Sequence, residues 1–361
     1  NRPLNSDWIA LIESLNTSKL PVLAVDVPSG LNANNGEPEG AAVQATRTIT
    51  VGAPKIGLLS TKAGRYVGRL EVTGDVGFVP WTGETELLWI NGADFANFPP
   101  RRRVDGHKGT YGHVAVIAGS AGYHGAAILS ARGAAKAMPG LITVLCESAV
   151  YIPIASQLQA QMVHPWSPDS KLPEKCNSIV IGPGLASPTL GKDWKEFLNQ
   201  QWRSFEGAMV VDASALAWLE PSSKLDPKFP RVITPHPGEA ARMLGCNISE
   251  VQEHRPKALR TLSERHGSCW VVLKGHQTLI GKSSGPIAVN SSGNPNLGQG
   301  GSGDLLAGYI GGLLAQPHID PETAIEYAVW QHGAAADQIQ KQSWGIEDLI
   351  EALGNVPANP G

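Results

Sequence analysis

The chain has 361 residues, 42% of them hydrophobic, with 41 glycines and a formal net charge of −3. That length accommodates two domains, or one large α/β domain with an extension, and the near-neutral charge argues against nucleic acid or an anionic membrane surface as a partner. Cys146, Cys176, Cys246 and Cys269 are widely spaced with no C-x-x-C pair, so they read as small buried hydrophobes of a reducing compartment rather than a disulfide framework or a zinc site.

At the N-terminal end, residues 6–16 carry helical periodicity, with Trp8, Ile9, Ile12 and Leu15 on one face and Ser6 as the expected cap. Three strand-like runs follow, at 21–31, 46–59 and 68–78. One helix and three strands are too few to cover a parallel sheet on both faces, so 1–78 is expected to be only part of a Rossmann-like α/β domain. Residues 79–107 include Pro99-Pro100 beside Arg101, Arg102 and Arg103; a short charge run next to prolines predicts a solvated linker better than an anion site.

From residue 108 the rhythm is regular. Apolar, β-rich runs at 113–119, 141–147, 178–184, 208–214, 231–235 and 269–275 alternate with helical stretches. Continuous Val/Ile runs indicate strands covered on both faces, which predicts a three-layer α/β/α domain with a mostly parallel sheet over 108–354. No apolar run reaches membrane-spanning length, and the N-terminus lacks a signal-peptide profile; a cytoplasmic protein is expected. The tail after Gly354 is expected to be loose.

Ligands of open α/β sheets bind beyond the carboxyl ends of the strands. Those ends are glycine-rich or polar here: AGSAGYHGAA (118–127), GPGL (182–185), DAS (212–214), TPHPGE (234–239), KGHQT (274–278) and GQGGSGD (298–304). In the last, Gly300, Gly301 and Gly303 let successive N–H groups converge, and the apolar helix that follows adds its positive N-terminal end. Such a pocket suits a phosphoryl group in transfer. Asp304 then has the wrong sign for a phosphate ligand but the right chemistry to accept a hydroxyl proton. It also suits a helix cap, and spacing alone leaves the two readings near parity.

The motifs HKGTYGHVAVIAGSAGYHGAAILSARGA, GPGL, TPHPGEAARML, KGHQT and GNPNLGQGGSGDLLAG, in this order along the chain, resemble the ADP- or ATP-dependent NAD(P)H-hydrate dehydratases, a branch of the ribokinase-like superfamily. The resemblance runs from about His107 to the last helix, with Ser302 where members commonly carry threonine. AVDVPSGLNANNGEPEGAAVQATRTITVGAPKIGL is similar to the end of the NAD(P)H-hydrate epimerase domain that precedes the dehydratase in many bacterial proteins.

The resemblance implies repair of nicotinamide cofactors: ADP (or ATP), with Mg2+, phosphorylates the hydroxyl of (6S)-NAD(P)H hydrate, and elimination of phosphate restores NAD(P)H with AMP as co-product. It implies Asp304 as the base, with Gly301, Ser302 and Gly303 as the anion hole. Lys274, Gly275, His276, Gln277 and Thr278 would hold the nucleotide together with Gly303. Gly125, Ala126, Gly184 and His236 would face the substrate. Asp26 matches a substrate contact of the epimerase and Ser29 a potassium ligand. The Asn-Asn-Gly-Gly-Asp-Gly loop that should face them is absent from the sequence, so epimerisation is expected to be lost. Glu239 is expected to serve the start of its helix rather than a magnesium-bound water, and Asp212 stands outside the core set. A homo-oligomer is expected by analogy. The alternatives are another ribokinase-like kinase acting on a vitamin-precursor alcohol, and a non-catalytic nucleotide-binding protein.

Overall fold

The computed structural model describes residues 4–358, apart from 75, 78–82, 189 and 224. It divides near residue 85 into two compact units. In the N-terminal unit, helix α1 (Ser6–Thr17) is capped by Asn5, whose Oδ1 accepts from the Trp8 amide at 3.0 Å. The cap is therefore Asn5 and not Ser6, which lies inside the helix. Of the expected apolar face only Ile12 is buried, and Trp8 stays 56% exposed. Strands β1 (Leu23–Val25), β2 (Arg47–Val51) and β3 (Arg69–Thr73) form a parallel three-stranded sheet in that order, with a short α2 (Gly64–Val67) before β3.

The second unit is built on a ten-stranded sheet. Its first strand, β4 (Leu87–Ile90), pairs in parallel with β13 (Ile287–Asn290). This corrects the reading of 79–107 as a linker: the strand is buried at Ile90, and Phe95 just after it packs against Tyr327 and Trp330 with ring centroids 5.6 Å apart in each case. Arg101 to Arg103 are exposed, Arg103 paired with Asp105 at 2.6 Å, as a solvated segment should be.

The central strands are β5 (His113–Ile117), β6 (Leu141–Cys146), β8 (Ser178–Ile181), β9 (Ala208–Val211), β10 (Arg231–Ile233) and β11 (Trp270–Leu273), with β7 (Met162–Pro165) at one edge. Between β11 and β13 runs β12 (Leu279–Gly281), antiparallel to both. The sheet order is β4-β13-β12-β11-β10-β9-β8-β5-β6-β7, and the other pairings are parallel.

Why the central strands read as continuous apolar runs is plain from their burial. Val114, Val116, Val180, Val210 and Val272 join one core with α3 (His124–Lys136), α9 (Ser302–Leu314) and α10 (Pro321–Gln338). Their alternates Ala115, Ile117, Ile179, Met209 and Val271 are equally buried, so both faces are covered. Helices α5 (Lys192–Ser204), α6 (Pro237–Leu244), α7 (Ile248–Glu253) and α8 (Arg255–Arg265) fill the remaining crossovers, with α4 (Tyr151–Ala155) before β7 and α11 (Ile346–Ala352) near the end. At Val356 the backbone is tied down, its carbonyl accepting from the buried Gln331 amide at 2.9 Å, contrary to the loose tail expected there; residues 359–361 of that expected tail lie outside the described residues. Among the described residues no helix is long and apolar enough to cross a membrane.

Two features position a site. Between β5 and β8 the sheet order reverses, which opens a crevice at the strands' carboxyl ends. Helix α9 packs over β8 and β9 and alongside α3, where glycine makes the approach close: a Cβ at Gly308 would collide with the Ser130 carbonyl. The N-terminus of α9 is thereby held at the carboxyl edge of the sheet.

Candidate active site

Asp212 is the residue after β9 and is 1% exposed. A carboxylate so buried needs partners, and its Oδ1 accepts from Thr234 Oγ1 at 2.7 Å and from Lys274 Nζ at 2.9 Å. Lys274, directly after β11, is fixed by its own amide donating to the Pro235 carbonyl at 2.9 Å. Its ammonium also lies 4.0 Å from Glu239 Oε2. Glu239 Oε2 accepts from the His236 amide at 2.8 Å, while His236 Nδ1 accepts from the Gly238 amide at 3.0 Å, a reciprocal cap on α6. With Nδ1 occupied, His236 turns Nε2 toward Glu239 Oε1 at 3.5 Å, and its side chain remains 53% exposed.

The glycine loop meets this pair from the other side. Gly301 is the N-cap of α9 at φ +94°, and a side chain there would run into Leu129 on α3. Both the backbone and the neighbour thus require glycine. A Cβ added at Gly303 would sit 3.3 Å from Lys274 Nζ and 4.0 Å from Asp212 Oδ2, so the first turn of α9 lies directly against the ion pair. The first amides of a helix have no intrahelical acceptor, and together with the helix dipole they form an anion site. Ser302 is buried, its Oγ 3.4 Å from Nε2 of the buried His332. Burial drives the His332 imidazole down to about 4, so it meets that hydroxyl uncharged.

Asp304, in the first turn of α9, has its pKa pushed up to about 7. Burial is the main cause, the Asp212 carboxylate adds to it, and Lys274 only partly opposes it; Glu239 pushes the same way. On Lys274 the balance is opposite: burial pulls the ammonium down, but Asp212, Glu239 and Asp304 outweigh it and hold it above its ordinary value. The cluster therefore contains a tightly held cation and a carboxyl group balanced between its two protonation states near neutral pH. That is the condition a general base needs.

The other residues expected from sequence fall around this centre. Gly275 (φ +135°) and Gln277 (φ +52°) bend the segment after β11, and Thr278 Oγ1 donates back to the Gly275 carbonyl at 3.1 Å. Gln277 is buried with neither polar atom of its carboxamide hydrogen-bonded. The carbonyl of His276 accepts from Arg255. Gly125 and Ala126 open α3, one turn ahead of Leu129. Gly184 (φ +66°) lies against them, since a Cβ there would come within 2.9 Å of Ala126 Cβ. Ser120 ties the two strand ends together, its Oγ donating to the Gly184 carbonyl at 2.7 Å and accepting from the Ser187 amide at 3.0 Å. Asp26 and Ser29 belong to the N-terminal unit, where Asp26 Oδ1 pairs with Lys55 and accepts from Thr50 Oγ1 and the Val51 amide, each at 3.1 Å.

Sequence reasoning set Asp212 aside, gave Glu239 only a helix-start role and passed over Arg255 and His332. Glu239 does begin the helix, and it also reaches Lys274. The signal for Asp212 was present in AMVVD: a carboxylate ending a fully apolar strand must find a partner at the strand's carboxyl edge. Among the described residues no group of three or more His, Cys, Asp or Glu side chains could hold a metal. Asp212 and Glu239 both face the Lys274 ammonium, and hard carboxylate oxygens are the donor type that suits a Mg2+ whose other ligands are nucleotide phosphates and water.

Residues 114–355 match the NAD(P)H-hydrate dehydratase family, and residues 1–57 match the YjeF-related protein N-terminus. The chain is 38% identical over 344 residues to the bifunctional NAD(P)H-hydrate repair enzyme Nnr of Coxiella burnetii, covering 92% of this chain and 67% of that one. With the enzyme of the same name from Escherichia coli it shares 36% identity over 331 residues, covering 91% and 62%. The chain thus spans about two thirds of the length of these relatives. Among solved structures, the ADP/ATP-dependent NAD(P)H-hydrate dehydratase from Bacillus subtilis co-crystallised with ATP/Mg2+ superposes with a TM-score of 0.65 at 29% identity, covering 73% of this chain and 95% of that one. The chain belongs to the NAD(P)H-hydrate dehydratase family.

Proposed function

We propose that the chain catalyses nucleotide-dependent dehydration of (6S)-NAD(P)H hydrate, with ADP as phosphoryl donor and ATP as the alternative. The observation that carries this reading is the Asp304 carboxyl group, held at about 7 in the first turn of α9 and against the Lys274–Asp212 pair. In the proposed step the C6 hydroxyl of the hydrate attacks the terminal phosphorus of the nucleotide. Asp304 accepts the hydroxyl proton as the new P–O bond forms, and the bond to the departing AMP (from ADP) breaks. The C6–O bond of the resulting ester then breaks with its electron pair leaving on phosphate, and transfer of the C5 proton to water restores the double bond of NAD(P)H.

Lys274 and the α9 amides at Gly301, Ser302 and Gly303 would stabilise charge on the transferring phosphoryl group. Mg2+ would supply further charge neutralisation on the phosphates, with Asp212 and Glu239 as its protein-side carboxylates. Gly275, His276, Gln277 and Thr278 would hold the nucleotide, and Gly125, Ala126, Gly184 and His236 the hydrate. Residues 86–358 would carry this activity, and the protein would work as a homo-oligomer on a small-molecule substrate in the cytoplasm. In the N-terminal unit Asp26 is committed to Lys55, so contact with a hydrate there would require that pair to open, and Ser29 would be the potassium ligand.

The test is incubation with hydrated NADPH, Mg2+ and ADP or ATP, following both the near-ultraviolet absorbance of reduced nicotinamide and inorganic phosphate. Both should rise together. A stable phosphate ester without restored absorbance would identify a kinase instead, and nucleotide binding with neither product would identify a non-catalytic binder.

A further inference from the structure

Arg255, the first residue of α8, is 6% exposed, and its guanidinium is spread over the turn that carries Lys274. Nη2 donates to the carbonyl of Leu273 at 3.0 Å and to that of Lys274 at 3.4 Å, and Nη1 donates to the carbonyl of His276. Nothing in that arrangement neutralises the cation: its hydrogen bonds among the described residues all go to carbonyls, and Nε has no partner. Burial lowers the group only to about 10, so it stays charged at neutral pH. A fully buried cation without a carboxylate is costly to keep, which calls for a reason.

The turn itself supplies one. Its backbone is held at φ +135° at Gly275 and φ +52° at Gln277, and a left-handed residue with a side chain is disfavoured. A Cβ at Gly275 would lie 3.4 Å from Arg255 Nη2 and 3.9 Å from Pro237 Cγ, so the bend runs between the guanidinium and the start of α6. Arg suits this work because its planar fork reaches several acceptors at once, which the point charge of lysine does not.

We propose that Arg255 is the positioning residue of the phosphate-donor loop: its fork holds the carbonyls of Leu273, Lys274 and His276 so that Lys274 faces α9, and its unneutralised charge adds to the field that receives nucleotide phosphate. This rests on the reading of residues 274–278 as the nucleotide segment. Arg255 acts through the loop and touches no reacting atom.

Calorimetric ADP binding to the full chain tests it, with hydrate turnover run in parallel. Arg255→Met removes all three of these charge-assisted hydrogen bonds and, by releasing the loop, should weaken ADP binding about ten- to a hundredfold, while KM for hydrated NADPH stays within about twofold. Arg255→Lys, which keeps the charge but not the fork, should fall between. Leu259→Ala, at a fully buried position on the same helix whose side chain has no donor for these carbonyls, should lower the melting temperature and leave ADP affinity within about twofold. Wild-type ADP affinity in Arg255→Met overturns the proposal, as does an equal loss in Leu259→Ala. If Arg255→Met does not fold, wild-type affinity in Arg255→Lys overturns it. Absence of hydrate turnover by the wild type, with ADP binding still sensitive to Arg255, would overturn the dehydratase reading and leave the positioning role standing.

Discussion

Replacement of Asp304 by asparagine separates a chemical role from a structural one, because the two make opposite predictions for stability. In the folded chain the carboxyl group titrates at about 7, against 3.8 when free of the fold. A group whose folded pKa is raised binds more protons folded than unfolded between those values, so stability is lost as pH rises from about 4 to about 7 and stays low above. Three units correspond to roughly 4 kcal/mol at full ionisation. Asparagine keeps the size and the capping ability of aspartate and cannot ionise, so it escapes that penalty. Asp304→Asn is therefore expected to be more stable than wild type at neutral pH, by an amount about 2–3 kcal/mol larger at pH 8 than at pH 5.

Activity should move the other way. Removing a general base typically costs about 10²–10⁴-fold in rate, while ADP affinity should hold or rise, since a carboxylate at this position attracts no phosphate. Thermal melts at the two pH values, ADP calorimetry and hydrate turnover on the same preparations measure all three quantities. Near-wild-type turnover refutes the base assignment. A variant less stable than wild type at pH 8 refutes the electrostatic argument and makes the carboxylate a structural cap.

Removing Lys274 takes away the group that holds the Asp304 pKa down, so Lys274→Met should move the acid limb of the turnover–pH profile above about 7 and weaken ADP binding; an unmoved limb contradicts the coupling. Gly301→Val places a branched side chain at φ +94° against Leu129, and should weaken nucleotide binding and turnover together, with a stability loss of about 1–3 kcal/mol; unchanged ADP affinity would show that the loop tolerates displacement. His236→Asn keeps a good helix cap, so melting temperature should hold within a few degrees while KM for the hydrate rises; a fall in stability without a KM effect would make His236 a cap and nothing more.

Much of this architecture was legible in the chain because strands buried on both faces must be apolar throughout. The runs containing β5, β6, β8, β9, β10 and β11 announce themselves for that reason. Strands β4, β7, β12 and β13 did not: each lies in a brief apolar run closely flanked by polar or turn-forming residues, as in ETELLWINGAD, AQMVHPW, HQTLIGKSSG and GPIAVNSSG, and β4 falls in a segment that read as linker. The glycine loop reads as a candidate phosphate cradle, and the structure shows why glycine is needed at Gly301, where φ is +94° and Leu129 leaves no room for a side chain. What sequence could not supply was the balance of charge inside it. Asp212, Glu239, Lys274 and Asp304 come from four different strand ends, and no spacing rule links them. Taken singly, Asp212 could bind turn amides, Glu239 could start a helix and Asp304 could cap one. Their ambiguity ends only when one cation, Lys274, is found among three carboxylates in a buried site. A single ammonium cannot neutralise all three, so one of them must be driven toward the protonated form. Asp304, burdened by both burial and Asp212, is the one whose pKa rises to about 7.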